Sequence, residues 1–193
     1  MAQGIILAAG YSSRAKTNKM LLTHDDRFLL SHAIESMTPH VKEIFVVTGH
    51  YHDEIVEAVK VYHNVQVIFN PIFDQGMFTS VQAGAKATSD DFFILPGDCP
   101  LVSASTYRML LGGSKTIRVP SYRNRNGHPI FFASSLKEEL VSEPPTSNLK
   151  AFRNRHDYEI IKTEDPGILL DIDTPADYRT LEKKYGKDAK HGS

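Results

Sequence analysis

The chain has 193 residues, enough to enclose a sheet between two helical layers as one domain, and its 22 Lys and Arg against 23 Asp and Glu leave a formal net charge of -1. That balance excludes an overall basic field for nucleic acid or an anionic membrane, so any anionic ligand has to be met locally. The lone cysteine, Cys99, excludes an intramolecular disulfide and a paired-Cys zinc site, and with no leader-like start and no run of about 20 apolar residues the expectation is a soluble, unprocessed, cytoplasmic protein.

In chain order, short β-branched and aromatic runs predict strands at Gly4 to Leu7, Glu43 to Val47, Val65 to Phe69 and Phe92 to Leu95. They are apolar without strict alternation, as strands covered on both faces are. Leu29 to Ser36, Asp53 to Val61 and Phe78 to Ala87 carry apolar residues at helical spacing. The alternation predicts a three-layer α/β/α, Rossmann-like fold with a mostly parallel sheet. After Gly112-Gly113, TIRVP and HPIFF read as strands flanking the turn-rich SYRNRNG, a small hairpin excursion. Leu149 to Arg155 reads as a short helix and Tyr158 to Lys162 as a strand. Thr174 then caps a helix with Pro175 in its first turn, running to Tyr185. One domain over 1–186 is expected, with 187–193 a disordered tail.

Ligands of open parallel sheets collect at the carboxyl ends of the strands, so the segments just after the strands carry the chemistry. The first is L-A-A-G-Y-S-S-R, Leu7 to Arg14, followed by Lys19. Leu7, Ala8, Ala9 and Gly10 leave backbone N–H groups open to a polyphosphate, and Arg14 and Lys19 supply charge. A tight turn with two surface cations accounts for the same residues. The second is P-G-D-C-P, Pro96 to Pro100, where Asp98 is suited to a hard divalent cation such as Mg2+; a turn aspartate bonding its own backbone is the alternative. The third is D-I-D-T-P, Asp171 to Pro175. Alternation at a strand end puts Asp171 and Asp173 on one side, either to complete the metal site or only to favour the following helix N-terminus. The fourth, Asn70 to Val81, offers neutral donors and acceptors for a base edge, with a helix opening near Thr79-Ser80, or is a plain capped loop.

The histidines are scattered, and only His50 and His52 are close, without a third ligand at zinc spacing. Cys99 reads as a small side chain in the Asp98 loop, since thiolate suits magnesium poorly. Arg118, Arg123 and Arg125 with Tyr122 read as a solvated hairpin, or as a site for an anionic acceptor.

Taken jointly, the motifs from Gly4 to about Tyr178 resemble the molybdenum-cofactor nucleotidyltransferases, specifically the molybdopterin cytidylyltransferase-like branch. The resemblance is carried by L-A-A-G-Y-S-S-R with Lys19, Asn70 with G-M-F-T-S-V-Q-A-G, P-G-D-C-P, G-H-P-I-F-F and D-I-D-T-P-A-D-Y. It implies transfer of CMP from CTP to a phosphorylated acceptor, molybdopterin, with release of pyrophosphate. It places Arg14 and Lys19 on the triphosphate, Asp98 and Asp173 on magnesium, Gly76 and Ser80 near the base, and His128 beside the acceptor. It also implies a cofactor-receiving enzyme as partner. Two alternatives stay open: a cytidylyl- or uridylyltransferase acting on a sugar phosphate or isoprenoid-precursor phosphate, and a non-catalytic nucleotide-binding or cofactor-delivery protein.

Overall fold

The computed structural model describes residues 1–11 and 18–185. Its strands are β1 (Gln3–Ala8), β2 (Thr23–His24), β3 (Arg27–Phe28), β4 (Ile44–Thr48), β5 (Val65–Phe69), β6 (Phe92–Pro96), β7 (Ile117–Tyr122), β8 (Arg125–Asn126), β9 (Ile130–Phe132) and β10 (Tyr158–Lys162). The α-helices are α1 (Leu29–Met37), α2 (His52–Val59), α3 (Met77–Ala87), α4 (Ala104–Leu111), α5 (Lys137–Ser142), α6 (Leu149–Asn154) and α7 (Pro175–Tyr185).

The main sheet runs β10-β7-β9-β6-β1-β4-β5, with β8 added to β7. Strand β1 lies inside it between β6 and β4, parallel to both, and β4 is parallel to β5. Alternation along β1 splits the core. Ile6 and Ala8 face one side with Leu30, Ile34 and Met37 of α1, Ile55 and Val59 of α2, and Tyr107 and Leu110 of α4. Ile5 and Leu7 face the other with Phe78, Val81 and Ala85 of α3, Leu140 of α5 and Phe152 of α6. Each large apolar side chain so buried contributes roughly 1.5–3 kcal/mol, which is why runs apolar on both faces select the sandwiched position. No helix among the described residues is long and apolar enough to cross a membrane.

The structure changes several expectations. The two strands read around the turn-rich stretch do pair antiparallel, Ile117 with Phe132, but within the main sheet, where β9 lies between β7 and β6 and pairs Ile130 with Ile94. The turn-rich stretch closes a tighter ribbon, β7 to β8, in which Arg123 and Asn124 both adopt positive φ, 48° and 62°. Such a two-residue turn matches the right-handed twist of its strands. Helix α3 opens at Met77, after Gly76 at φ 117°, and not at Thr79-Ser80. The hydroxyl of Thr79 donates back toward the carbonyls of Gly76 and Ile72, so Thr79 and Ser80 lie inside the first turn. Asp171 to Thr174 forms no strand; it is held by the amide of Ile172, which donates to Asp98 O at 3.0 Å while the Ile172 side chain is buried. Helices α4 and α5 and the β2–β3 ribbon have no counterpart in the sequence reading.

Candidate active site

The site begins where β1 ends. Leu7, Ala8 and Ala9 are buried and Gly10 is exposed. The carbonyl of Leu7 accepts from Gly97 N at 2.9 Å and that of Ala9 from His50 N at 3.3 Å, tying the exits of β1, β4 and β6 together. Close approach dictates the glycine at 97: a Cβ there would come within 2.9 Å of Met20 Sδ and 3.1 Å of the Leu7 carbonyl. At Gly10 the same addition would meet none of the described residues within 4 Å, and the glycine lines a cleft. That cleft, about 150 Å³, runs between the β1 exit, Pro96 and Asp98 after β6, and Phe73, Met77 and Ser80 around the start of α3.

Lys19 opens a short 3-10 turn, Lys19–Leu21, whose cap is Asn18; the Asn18 side chain accepts from Met20 N at 3.2 Å and donates to Glu54 at 3.2 Å. From that anchored turn the Lys19 ammonium reaches Asp98 Oδ2 at 2.6 Å and Asp173 Oδ1 at 2.8 Å. Burial works against the charged ammonium, but the two carboxylates outweigh it and hold the lysine above its usual pKa. Acidic groups far apart in sequence thus share one cation beside Gly10. Two hard carboxylate oxygens at such a point also suit a hard divalent ion, which takes oxygen ligands and keeps waters. Among the described residues no group of three or more His, Cys, Asp and Glu side chains could hold a metal.

Asp173 is set by its own neighbourhood. Asp177 Oδ2 accepts from the backbone N of Asp173 at 3.2 Å and of Thr174 at 2.7 Å, and Thr174 Oγ1 accepts in return from Asp177 N. This is a capping box at the start of α7, and its Thr-x-x-Asp signature was present in the sequence as a signal for Asp177. Hydrogen bonding from the Thr174 hydroxyl leads in holding the Asp177 carboxyl below its usual range, against the effect of burial.

The loop from β5 to α3 is braced from beneath. Asn70 is buried, its amide donates to Thr79 Oγ1 at 2.8 Å and Ser80 Oγ at 2.9 Å, and its carbonyl accepts from Ile72 N. Asn70 therefore shapes the loop that carries Phe73 and Gly76 and does not line the cleft. Gly76 and Met77 border a second hollow of about 310 Å³, which shares Leu7 and Met77 with the first and is walled by Pro145, Ser147 and Asn148.

His128 is placed apart from the cleft lining. Its backbone N donates to Ile168 O, and its buried Nδ1 has no hydrogen-bond partner among the described residues. Burial pushes its pKa down, while Asp98 and Asp171 pull it the other way. Cys99 is buried behind Asp98, and burial followed by the nearby Asp98 and Asp171 charges raises its thiol well above the usual value. Arg14 lies outside the described residues. A larger hollow, about 470 Å³ and lined by Ser103, Lys162 and Asp165 among others, is formed by none of these side chains. The apolar walls Phe73 and Met77 were missed by the sequence reading, because nothing local distinguishes a cleft-lining aromatic from a core one.

The MobA-like NTP transferase domain matches residues 4–160 of this chain. The molybdenum cofactor cytidylyltransferase of Escherichia coli (strain K12) is 30% identical over 184 residues, which cover 94% of this chain and 95% of that protein. A probable molybdenum cofactor guanylyltransferase of Bacillus cereus (strain AH820) is 31% identical over 156 residues, covering 72% and 76%. Among solved structures, Rv0371c of Mycobacterium tuberculosis H37Rv in complex with manganese is similar with a TM-score of 0.74 at 25% identity, covering 93% of this chain and 97% of that one. A match that takes in the sheet from β1 to β10, joined by a relative aligned over nearly its whole length, places the chain in the MobA-like NTP transferase family, as a nucleotidyltransferase.

Proposed function

We propose that the chain transfers CMP from CTP to the phosphate of a molybdopterin acceptor and releases pyrophosphate. The observation that carries this reading is the convergence of Lys19, Asp98 and Asp173 beside the open face of Gly10. The similarity to a cytidylyltransferase aligned over 95% of its length supports CTP and molybdopterin, and the L-A-A-G form of the opening motif, which resembles the cytidylyl branch, supports CTP.

In this reading the triphosphate lies in the cleft along Leu7 to Gly10, with Arg14 and Lys19 countering its charge. Gly76 and Ser80 border the base, Asn70 keeps their loop in shape, and His128 stands on the acceptor side. Asp98 and Asp173 hold Mg2+, a choice supported by their oxygen donors and by the manganese bound to a related protein. Bound there, the metal supplies charge neutralisation for the phosphate oxygens. An oxygen of the acceptor phosphate attacks the α-phosphorus of CTP, the bond from that phosphorus to the bridging oxygen breaks, and pyrophosphate departs with the electron pair. The acceptor phosphate is already ionised at neutral pH, so no residue is assigned as general base. The work of the site is positioning and electrostatic stabilisation. The product would pass to a cofactor-receiving enzyme in the cytoplasm.

The test is pyrophosphate release from each common nucleoside triphosphate with molybdopterin, a sugar phosphate and an isoprenoid-precursor phosphate as acceptors. Release confined to CTP with molybdopterin is expected. Turnover with another acceptor alone would replace the acceptor assignment, and nucleotide binding without acceptor-dependent release would overturn the catalytic reading.

A further inference from the structure

Two carboxylates aimed at one point repel each other unless a cation lies between them, and here the chain supplies that cation itself. Lys19 Nζ bonds Asp98 and Asp173 at 2.6 and 2.8 Å. The Lys19 and Asp98 side chains are each only 14% exposed, so solvent screens this pairing weakly. The main chain under Lys19 is anchored separately, by the Asn18 cap and by buried Met20. The Lys19 side chain also borders two spaces, the cleft containing Gly10 and Ser80 and a neighbouring hollow containing Asp173, Thr174 and Tyr178. Rotation of its flexible stem can therefore carry the charge from the carboxylates to a ligand in the cleft while the backbone stays in place.

We propose that Lys19 is a positioning residue for the metal site as well as a phosphate ligand: without nucleotide it stands in for the divalent cation between Asp98 and Asp173. It keeps the two carboxylates assembled and keeps free metal out until a triphosphate draws the ammonium away. The inference rests on the reading that Asp98 and Asp173 hold the metal. A divalent ion entering beside the ammonium would meet like charge at close range, so metal alone binds weakly. A triphosphate offers the ammonium new anionic partners and draws its charge out from between Asp98 and Asp173.

The experiment is a Mn2+ titration of the nucleotide-free full chain near neutral pH, following free Mn2+ by electron paramagnetic resonance. Lys19→Met, which removes the charge and keeps the bulk, is expected to bind Mn2+ at least about tenfold more tightly than the unmodified protein. Lys19→Arg keeps a cation at the position and is expected to stay close to the unmodified protein. Adding Asp98→Asn to Lys19→Met is expected to abolish the gain. Circular dichroism verifies folding, and Lys19→Gln replaces Lys19→Met if that variant fails to fold. Equal Mn2+ affinity with and without the lysine charge, while Asp98→Asn weakens binding, overturns the stand-in role and leaves the metal assignment intact. Mn2+ binding indifferent to Asp98→Asn in both backgrounds overturns both.

Discussion

Thr174 and Asp177 cap each other at the start of α7, and through that exchange Asp177 also holds the backbone amide of Asp173, a carboxylate on the shared cation position. A side chain outside the cleft thereby orients one inside it. Asp177→Ala is expected to cost about 1 kcal/mol, as loss of a helix N-terminal cap does, and to raise the metal concentration for half-maximal activity. Thermal melts and a magnesium titration of activity check the two effects. The folded Asp177 carboxyl lies below its usual pKa, so its contribution is present above about pH 4 and is lost as the pH falls through the folded value. A cap with no influence on the metal requirement would show that Asp173 is positioned by other means.

Asp98→Asn retains the size of the side chain and removes the charge facing Lys19. It is expected to lower kcat by about two to three orders of magnitude, as removing a charge-stabilising group does, with a native circular dichroism spectrum. Steady-state pyrophosphate release is the measurement. Near-normal turnover with magnesium and CTP would remove Asp98 from the machinery.

Gly10 and Gly97 lie at neighbouring strand exits and are expected to respond oppositely to a methyl group. At Gly10 the added carbon meets none of the described residues within 4 Å and points into the cleft, so Gly10→Ala should leave stability within about 0.5 kcal/mol and raise the KM for triphosphate. At Gly97 the carbon meets Met20 Sδ at 2.9 Å and the Leu7 carbonyl at 3.1 Å, so Gly97→Ala should destabilise by about 1–3 kcal/mol through overpacking. Paired melting curves and substrate titrations distinguish the two.

His40 is buried, stacked on Tyr107 at 5.1 Å, and its Nε2 has no hydrogen-bond partner among the described residues. Burial, with the Arg108 charge adding to it, pushes its pKa below the usual histidine value, and burial acts likewise on His128. A base kept neutral in the folded chain takes up its proton more readily once unfolded. The unfolded state therefore binds more protons below about pH 6.5, and stability falls as the pH drops through that value. Melting temperatures from pH 7.5 down to 5.5 should show this decline, and His40→Gln should flatten part of it.

The β1, β4 and β6 runs were legible in the sequence because a strand buried on both faces is apolar almost throughout, a local signature, and the edge strand β5, half-exposed, was legible from its β-branched residues. The Thr174-Pro175 helix start was legible for the same kind of reason, since capping is settled within one turn. Asp98 and Asp173 stood out as acidic residues beside prolines at element ends. Their meeting at Lys19, 79 and 154 positions away along the chain, was decided by the tertiary structure. So was the insertion of β9 between β6 and β7, because strand order depends on which edges the rest of the sheet leaves to be paired. Asn70 shows the same division: its place in the loop was visible from sequence, but its burial under Thr79 and Ser80 followed from how α3 packs on the sheet. Local periodicity and capping are encoded within a few residues, whereas the convergence of charges depends on packing across the whole sheet.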